Sequence, residues 1–287
     1  MKVIAAVTAF ACLCLLGAPN AKAGPWIAAP NGASEMLPIT KVVVFGPETR
    51  QTADTFAERN HLNVVELKRQ HSGSGVIHCG NARGAGQLTL ADNIVTTASH
   101  VFYNESGSLR GDTDHCSFSV VVDGREIVTP IDTRSIVAGS TNPYNEIAVH
   151  DWAVARLVRP LTAATPYTLG APAGNIAIRF VARGHSDWGG GREMSLEDCH
   201  LRDGLRAGAE GTREFSFDCA AGVGASGGAL LNASGSRLLA VFVGFRSVAP
   251  DQRMSFSPSN YNFAVTVEGA FRRAVLDAVA IRTVAVQ

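Results

Sequence analysis

A run of small residues around position 226, Gly222-Val223-Gly224-Ala225-Ser226-Gly227-Gly228-Ala229-Leu230, holds the residue types that a nucleophilic serine needs. A serine hydroxyl attacks poorly until a base takes its proton, and its attack builds an oxyanion that needs donors nearby. Glycines on both sides let the chain turn tightly, so the backbone N–H groups of Gly224 and Ser226 can point at one spot. Glycine and serine also dominate ordinary turns, so the run alone leaves a purely structural turn open.

A base and an orienting acid must come from elsewhere in the chain. The eight histidines are His61, His71, His78, His100, His115, His150, His185 and His200, and all precede Ser226. Residues 224–228 also satisfy G-x-S-x-G, but in an α/β-hydrolase elbow the acid and then the histidine follow the serine. No histidine is left for that order. His100 closes the β-branched run Ile94-Val95-Thr96-Thr97 behind two small residues, which suits a ring at a strand end facing a cleft. The other seven lie in polar or turn-rich settings, and most read as surface residues. Asp151 leads directly into the apolar Trp152-Ala153-Val154-Ala155, where a buried carboxylate needs a partner such as the His100 N–H. Asp123, Asp132 and Asp187 are alternatives, each in a Gly- or Pro-bearing turn.

Taken in order, Thr97-Ala98-Ser99-His100, Asp151-Trp152-Ala153-Val154 and Gly224-Ala225-Ser226-Gly227-Gly228 resemble the three catalytic blocks of the chymotrypsin-like (trypsin-like) serine peptidases. Val43-Val44-Phe45-Gly46 and Arg50 are similar to the start of the bacterial branch related to glutamyl endopeptidases. The resemblance runs from about residue 42 to about residue 265. It implies an all-β fold, a double six-stranded antiparallel β-barrel, with the site between the barrels; separately, no cofactor and no metal in the site are expected. It further implies His100 as general base, Asp151 as the residue that orients it, and Ser226 as the nucleophile forming an acyl-enzyme.

There are departures from the pattern. Ser99 stands where the second alanine of Thr-Ala-Ala-His is usual, and no cysteine follows His100. Ala225 stands where animal members carry an aspartate that pairs with a freshly cut N-terminus. The acid of trypsin-type pockets would fall at Ala220, so an Arg or Lys preference has only the nearby Asp218 in its favour. Residues 240–245 hold no histidine of the glutamate-specific kind. A pocket walled by Ala220, Val243 and Phe245 would favour small or apolar side chains.

The elements that must position these residues read as short strands: 63–67, 87–90, 94–97, 117–122, 125–128, 152–158, 176–182, 214–218, 229–231, 238–245 and 262–265, besides a first strand over 41–46. Most are bounded by Gly, Asn, Asp or Pro, the pattern of a sandwich or barrel. Only the tail, about 266–281, reads as a helix, with Thr266 as N-cap and Phe271, Val275 and Val279 on one face. Residues 42–287 are therefore expected to form the peptidase domain, two barrels and a C-terminal helix.

Lys2, the apolar stretch 3–17 and Ala21-Lys22-Ala23 have the form of a signal peptide over 1–23, followed by an extended, removable segment over 24–41. A cut after Lys41 would leave Val42 first. The export implied is to the periplasm or outside the cell. Cys12 and Cys14 would leave with the signal, and Cys79, Cys116, Cys199 and Cys219 most simply form two disulfides, with three connectivities open. The sequential pairing, Cys79–Cys116 and Cys199–Cys219, is the one expected. A zinc site using His78, His115 or His200 is disfavoured, since adjacent residues rarely ligate one ion and C-x-x-C is absent.

Hydrophobic residues make up 46% and charged residues 17%, enough apolar material for a sizeable core. Loss of 1–23 leaves 23 basic against 25 acidic side chains, so no basic stripe recruits nucleic acid and nothing holds the mature chain to a membrane. The expected partner is a protein or peptide substrate, met by a monomer. A protease homologue that binds without cutting is the rival from another class, and it would normally have lost one of the three catalytic residues.

Overall fold

The computed structural model describes residues 45–189, 193–249 and 252–284. The proposed signal (1–23), the segment 24–41, Val42 and most of the first expected strand lie outside the described residues. Within it, Phe45 makes an isolated parallel bridge to Met254 and no longer strand.

Two short helices lead in, α1 (Ala53–Arg59) and α2 (Val64–Gln70). The strand expected over 63–67 is thus a helix. Asn63 Oδ1 accepts from the N–H groups of Val65 and Glu66 at 2.9 and 3.1 Å, capping a turn rich in helix formers. That cap outweighs the strand preference of Val64-Val65, and Val65 is left 70% exposed.

Strands β1 (Ser74–Cys79), β2 (Ala82–Leu88), β3 (Ile94–Thr97), β4 (Cys116–Val122), β5 (Arg125–Ala138) and β6 (Ala153–Leu157) follow. They close into an antiparallel barrel in the order β1-β2-β3-β6-β5-β4, with β4 pairing back onto β1. The β4–β5 hairpin turns on Asp123-Gly124, both at positive φ (49° and 75°), the conformation a two-residue turn of the primed type requires. Asp123 is therefore a turn residue.

The second barrel uses β8 (Ile176–Ala182), β9 (Ser195–Ala207), β10 (Arg213–Phe217), β11 (Ala229–Asn232), β12 (Arg237–Ser247) and β13 (Asn260–Thr266). Its order is β11-β8-β9-β10-β13-β12, closed by β12 against β11, with the short β7 (Thr168–Leu169) added in parallel to β12. Phe180, Phe217 and Phe242 fill it, their ring centroids 5.4–5.8 Å apart. A larger apolar cluster joins Ile77 and Ile94 of the first barrel to Val241 and Val265 of the second. The expected pair of six-stranded barrels is present. β1, β7 and β9 escaped the sequence reading: β1 offers only the β-branched pair Val76-Ile77, β7 is two residues long, and β9 has no β-branched residue.

Helix α3 spans Gly269–Val284, three residues later than expected at each end. Thr266 ends β13 instead of capping the helix, and its Oγ1 accepts from the Arg213 N–H at 2.9 Å. Phe271 and Val275 are fully buried, with Val279 packed against the core, as their spacing requires. Phe271 stacks on Trp152 at 4.9 Å, anchoring the residue next to Asp151.

The cysteines pair as Cys79–Cys116 and Cys199–Cys219. The first bridge joins registered partners on β1 and β4, and the segment it closes contains His100. The second spans 20 residues, and loop entropy over that length is worth about 3 kcal/mol. Replacing both Cys199 and Cys219 with alanine should therefore lower unfolding stability by about that much in denaturant titration. An unchanged midpoint would mean that strand pairing already restricts the unfolded segment.

Candidate active site

Strand β3 delivers His100 on a short 3-10 turn, Ser99–Val101, and a second such turn, Ala148–His150, delivers Asp151 at the start of β6. β3 and β6 pair in register from Ile94↔Arg156 to Thr97↔Ala153, which brings the two residues side by side. Asp151 Oδ2 lies 2.7 Å from His100 Nδ1, and Oδ1 accepts from the His100 backbone N–H at 2.9 Å. One carboxylate thus holds both the ring and the main chain of the histidine. Since a carboxylate accepts, the neutral tautomer that fits this contact carries its proton on Nδ1. Both groups are largely buried, His100 at 8% and Asp151 at 4% exposure. Beside the ring, Tyr144 stands edge-on at 6.1 Å and takes a hydrogen bond from Arg110 at 2.7 Å.

Ser226 sits in the turn before β11, half-exposed. Gly224 (φ 91°) and Gly227 (φ 86°) take the left-handed conformations that the tight turn demands. A methyl group on Gly227 would fall 2.1 Å from Thr97 Oγ1 and 2.2 Å from the Ala85 carbonyl. The Ala85 N–H donates to the Ser226 carbonyl at 2.7 Å. A methyl on Gly84 would meet both Val101, next to His100, and the Ser226 carbonyl. The serine turn and the histidine turn therefore press against the same stretch of β2. Among the described residues, the N–H groups of Gly224 and Ser226 have no acceptor, whereas those of Ala225, Gly227 and Gly228 are bonded to Gly222, Phe242 and Ala225. Two unused donors in the turn that carries a serine hydroxyl can hold an oxyanion.

The alternative acids go elsewhere. Asp132 pairs with Arg134, and Asp187 with Arg50. Asp218, the one opening for a basic preference, is occupied by Arg202 and by the His200 N–H. Ala220 is buried. Phe245 is half-buried opposite Asn262, whose amide donates to the Cys219 carbonyl at 2.6 Å and so links Phe245 to the Ala220 segment. Val243 is buried in the larger core between the barrels.

No family model and no curated protein matches the chain. A solved structure described as a Glu endopeptidase in complex with MPD superposes with a TM-score of 0.61 at 15% identity, covering 83% of this chain and 100% of that one. The fold is that of the chymotrypsin-like serine peptidases. At such identity the likeness is one of fold, and the roles of the side chains in this chymotrypsin-like frame rest on their own geometry.

Several buried polar groups gave no signal in the sequence. His71 and His185 are fully buried, unlike the surface histidines expected. His71 bonds the Tyr167 hydroxyl at 2.9 Å, and burial pushes its pKa down to about 3. His185 takes a bond from Arg50 on Nδ1 at 3.2 Å, so its Nε2 carries the proton and donates to Ser195 Oγ at 2.8 Å. Glu197 lies behind Ala220, whose N–H donates to its Oε2 at 2.8 Å, while the Thr49 hydroxyl donates to Oε1.

Burial raises the Glu197 carboxyl to about 7 against the opposing hydrogen bonds from Thr49 and Ala220. Between about pH 4.5 and 7 the unfolded chain has released this proton and the folded chain keeps it, so stability falls as pH rises through that window. A shift of that size is worth about 3 kcal/mol. Glu197→Gln, which keeps an acceptor for Ala220, should flatten the decline in melting temperature between pH 5 and 8 and raise stability at pH 8. An unaltered pH dependence would show that Glu197 ionises normally.

Proposed function

We propose that the chain is a secreted serine endopeptidase that cuts peptide bonds of protein or peptide substrates through an acyl-enzyme. The observation that carries the reading is the Asp151 carboxylate on both Nδ1 and the backbone N–H of His100, next to a serine turn with two unused N–H donors. With Nδ1–H held by Asp151, Nε2 takes the Ser226 proton as Oγ attacks the scissile carbonyl. The carbonyl oxygen becomes an anion facing the N–H groups of Gly224 and Ser226. His100 then gives the proton to the leaving amine, and water releases the acyl group by the same steps in reverse. Asp151 holds the ring throughout and stabilises the imidazolium.

The neighbour's title speaks of glutamate, but neither Ala220 nor Phe245 carries a side-chain donor for an acidic group, and Val243 lies in the core between the barrels. Asp218 is also neutralised for a basic one. We therefore assign a preference for small or apolar side chains before the cut. The paired cysteines, and the lack of a helix long and apolar enough to cross a membrane among the described residues, support a periplasmic or extracellular site of action. Monomeric action, without nucleic acid or cofactor, completes the proposal.

Peptide-library cleavage by the protein beginning at residue 24 or 42, read by mass spectrometry, tests it. Ser226→Ala should abolish both cleavage and fluorophosphonate labelling, and Asp151→Asn should lower kcat by about 10⁴-fold by favouring the wrong tautomer. Cuts made equally by the Ser226→Ala variant, or a profile dominated by Glu, Arg or Lys, would refute the mechanism or the pocket, respectively.

A further inference from the structure

The turn that holds Gly222, Gly224 and Ser226 is short of side chains that could fix it, yet its N–H groups must stay aimed. Its outer side is covered by the segment Gly184-His185-Ser186-Asp187. The Ser186 N–H donates to the Val223 carbonyl at 2.9 Å, and a methyl on Gly224 would fall 2.1 Å from the Gly184 carbonyl. Asp187 Oδ1 is buried, has no hydrogen-bond partner among the described residues, and lies 2.1 Å from where a methyl on Gly222 would stand. Main chain and carboxylate thus abut the turn directly, with no room for relaxation toward them.

What holds that segment down is Arg50. Its guanidinium is 2% exposed and makes one bond to Asp187 Oδ2, two to Glu48 and one to His185 Nδ1, at 2.8–3.2 Å. A buried guanidinium bonded on several sides has a fixed position, because moving it would leave its charge without carboxylate partners in the interior. The fork also matches geometry that a lysine would not reproduce, since it reaches two carboxylates and a ring nitrogen at once. Arg50 comes from the chain entering the barrels, 137 residues before Asp187 in sequence.

We propose that Arg50 is a positioning residue for the oxyanion-binding turn, acting through Asp187 and the 184–187 segment, an inference that rests on the peptidase reading for its kinetic consequences only. The cation comes from within the chain, from a residue that a cut after Lys41 would retain. Ala225, inside the turn, contributes no carboxylate of its own.

The test compares Arg50→Gln and Arg50→Lys with wild type, with Arg213→Gln removing the Glu268 ion pair elsewhere in the same barrel as a control. Asp187→Asn, which is isosteric and leaves Arg50 paired with Glu48, serves if Arg50→Gln fails to fold. Hydrogen exchange of peptides covering 218–228 should quicken at least tenfold in Arg50→Gln or Asp187→Asn and stay unchanged in the control. Fluorophosphonate labelling of Ser226 should slow at least tenfold, and kcat on a cleaved peptide should fall as much with KM within twofold. Arg50→Lys should recover part of each. Exchange and labelling both within twofold of wild type in a folded variant would overturn the proposal. A wild type that never labels Ser226, with exchange still loosened by Arg50→Gln, would retire the peptidase reading and leave the strap standing.

Discussion

The hydrogen bond from the Ala85 N–H to the Ser226 carbonyl, 2.7 Å long, crosses from one barrel to the other, and the arrangement of the site depends on it. His100 and Asp151 belong to the first barrel and Ser226 to the second, so only the packing of the two barrels brings the histidine turn and the serine turn onto the same stretch of β2. The seam tolerates this bond only because Gly84 and Gly227 lack side chains, so Thr97 Oγ1, Ala85 and Val101 can come within reach of the turn. Thr97 reinforces it by donating to the Ala85 carbonyl at 2.7 Å, which ties the strand carrying His100 to the strand that receives Ser226.

Behind the seam, a continuous apolar cluster from both barrels and α3 keeps the two halves from sliding. Trp152 links the His100–Asp151 pair to this core: it follows Asp151 directly, stacks on Phe271 and crowds Gly139. The orientation of Asp151 is thus set on one side by two hydrogen bonds to His100 and on the other by a packed indole. The second barrel is braced differently. Its aromatic trio fills the interior, while its rim near the serine turn relies on an ion cluster, with the buried Arg50 shared between Glu48 and Asp187 and neutral His185 completing the set.

These two kinds of support differ in how they fail. Apolar packing is non-directional and degrades gradually with lost area. A buried ion cluster loses its geometry when one member changes, because the remaining charges need new partners or water. The serine turn therefore rests on the less forgiving kind, and its neighbour Glu197 keeps its proton to about pH 7 because burial outweighs the donors around it.

Much of the frame was legible before any coordinates. The β-branched run ahead of His100, the apolar run after Asp151 and the Asp123-Gly124 turn are local patterns, and local backbone preference acts within a few residues of its cause. The order of the three blocks along the chain, and the placement of every histidine before Ser226, ruled out an elbow-type hydrolase without geometry. Local patterns also misled where two signals competed, as at Asn63, where a helix cap overrode two valines. Tertiary structure alone decided that Arg50 meets Asp187 and His185 across more than 130 residues, that Glu197 stands behind Ala220, and that Asp218 is taken by Arg202. Such contacts leave no periodicity in the chain, because a charged residue bound for a buried ion pair is written with the same letter as one bound for solvent.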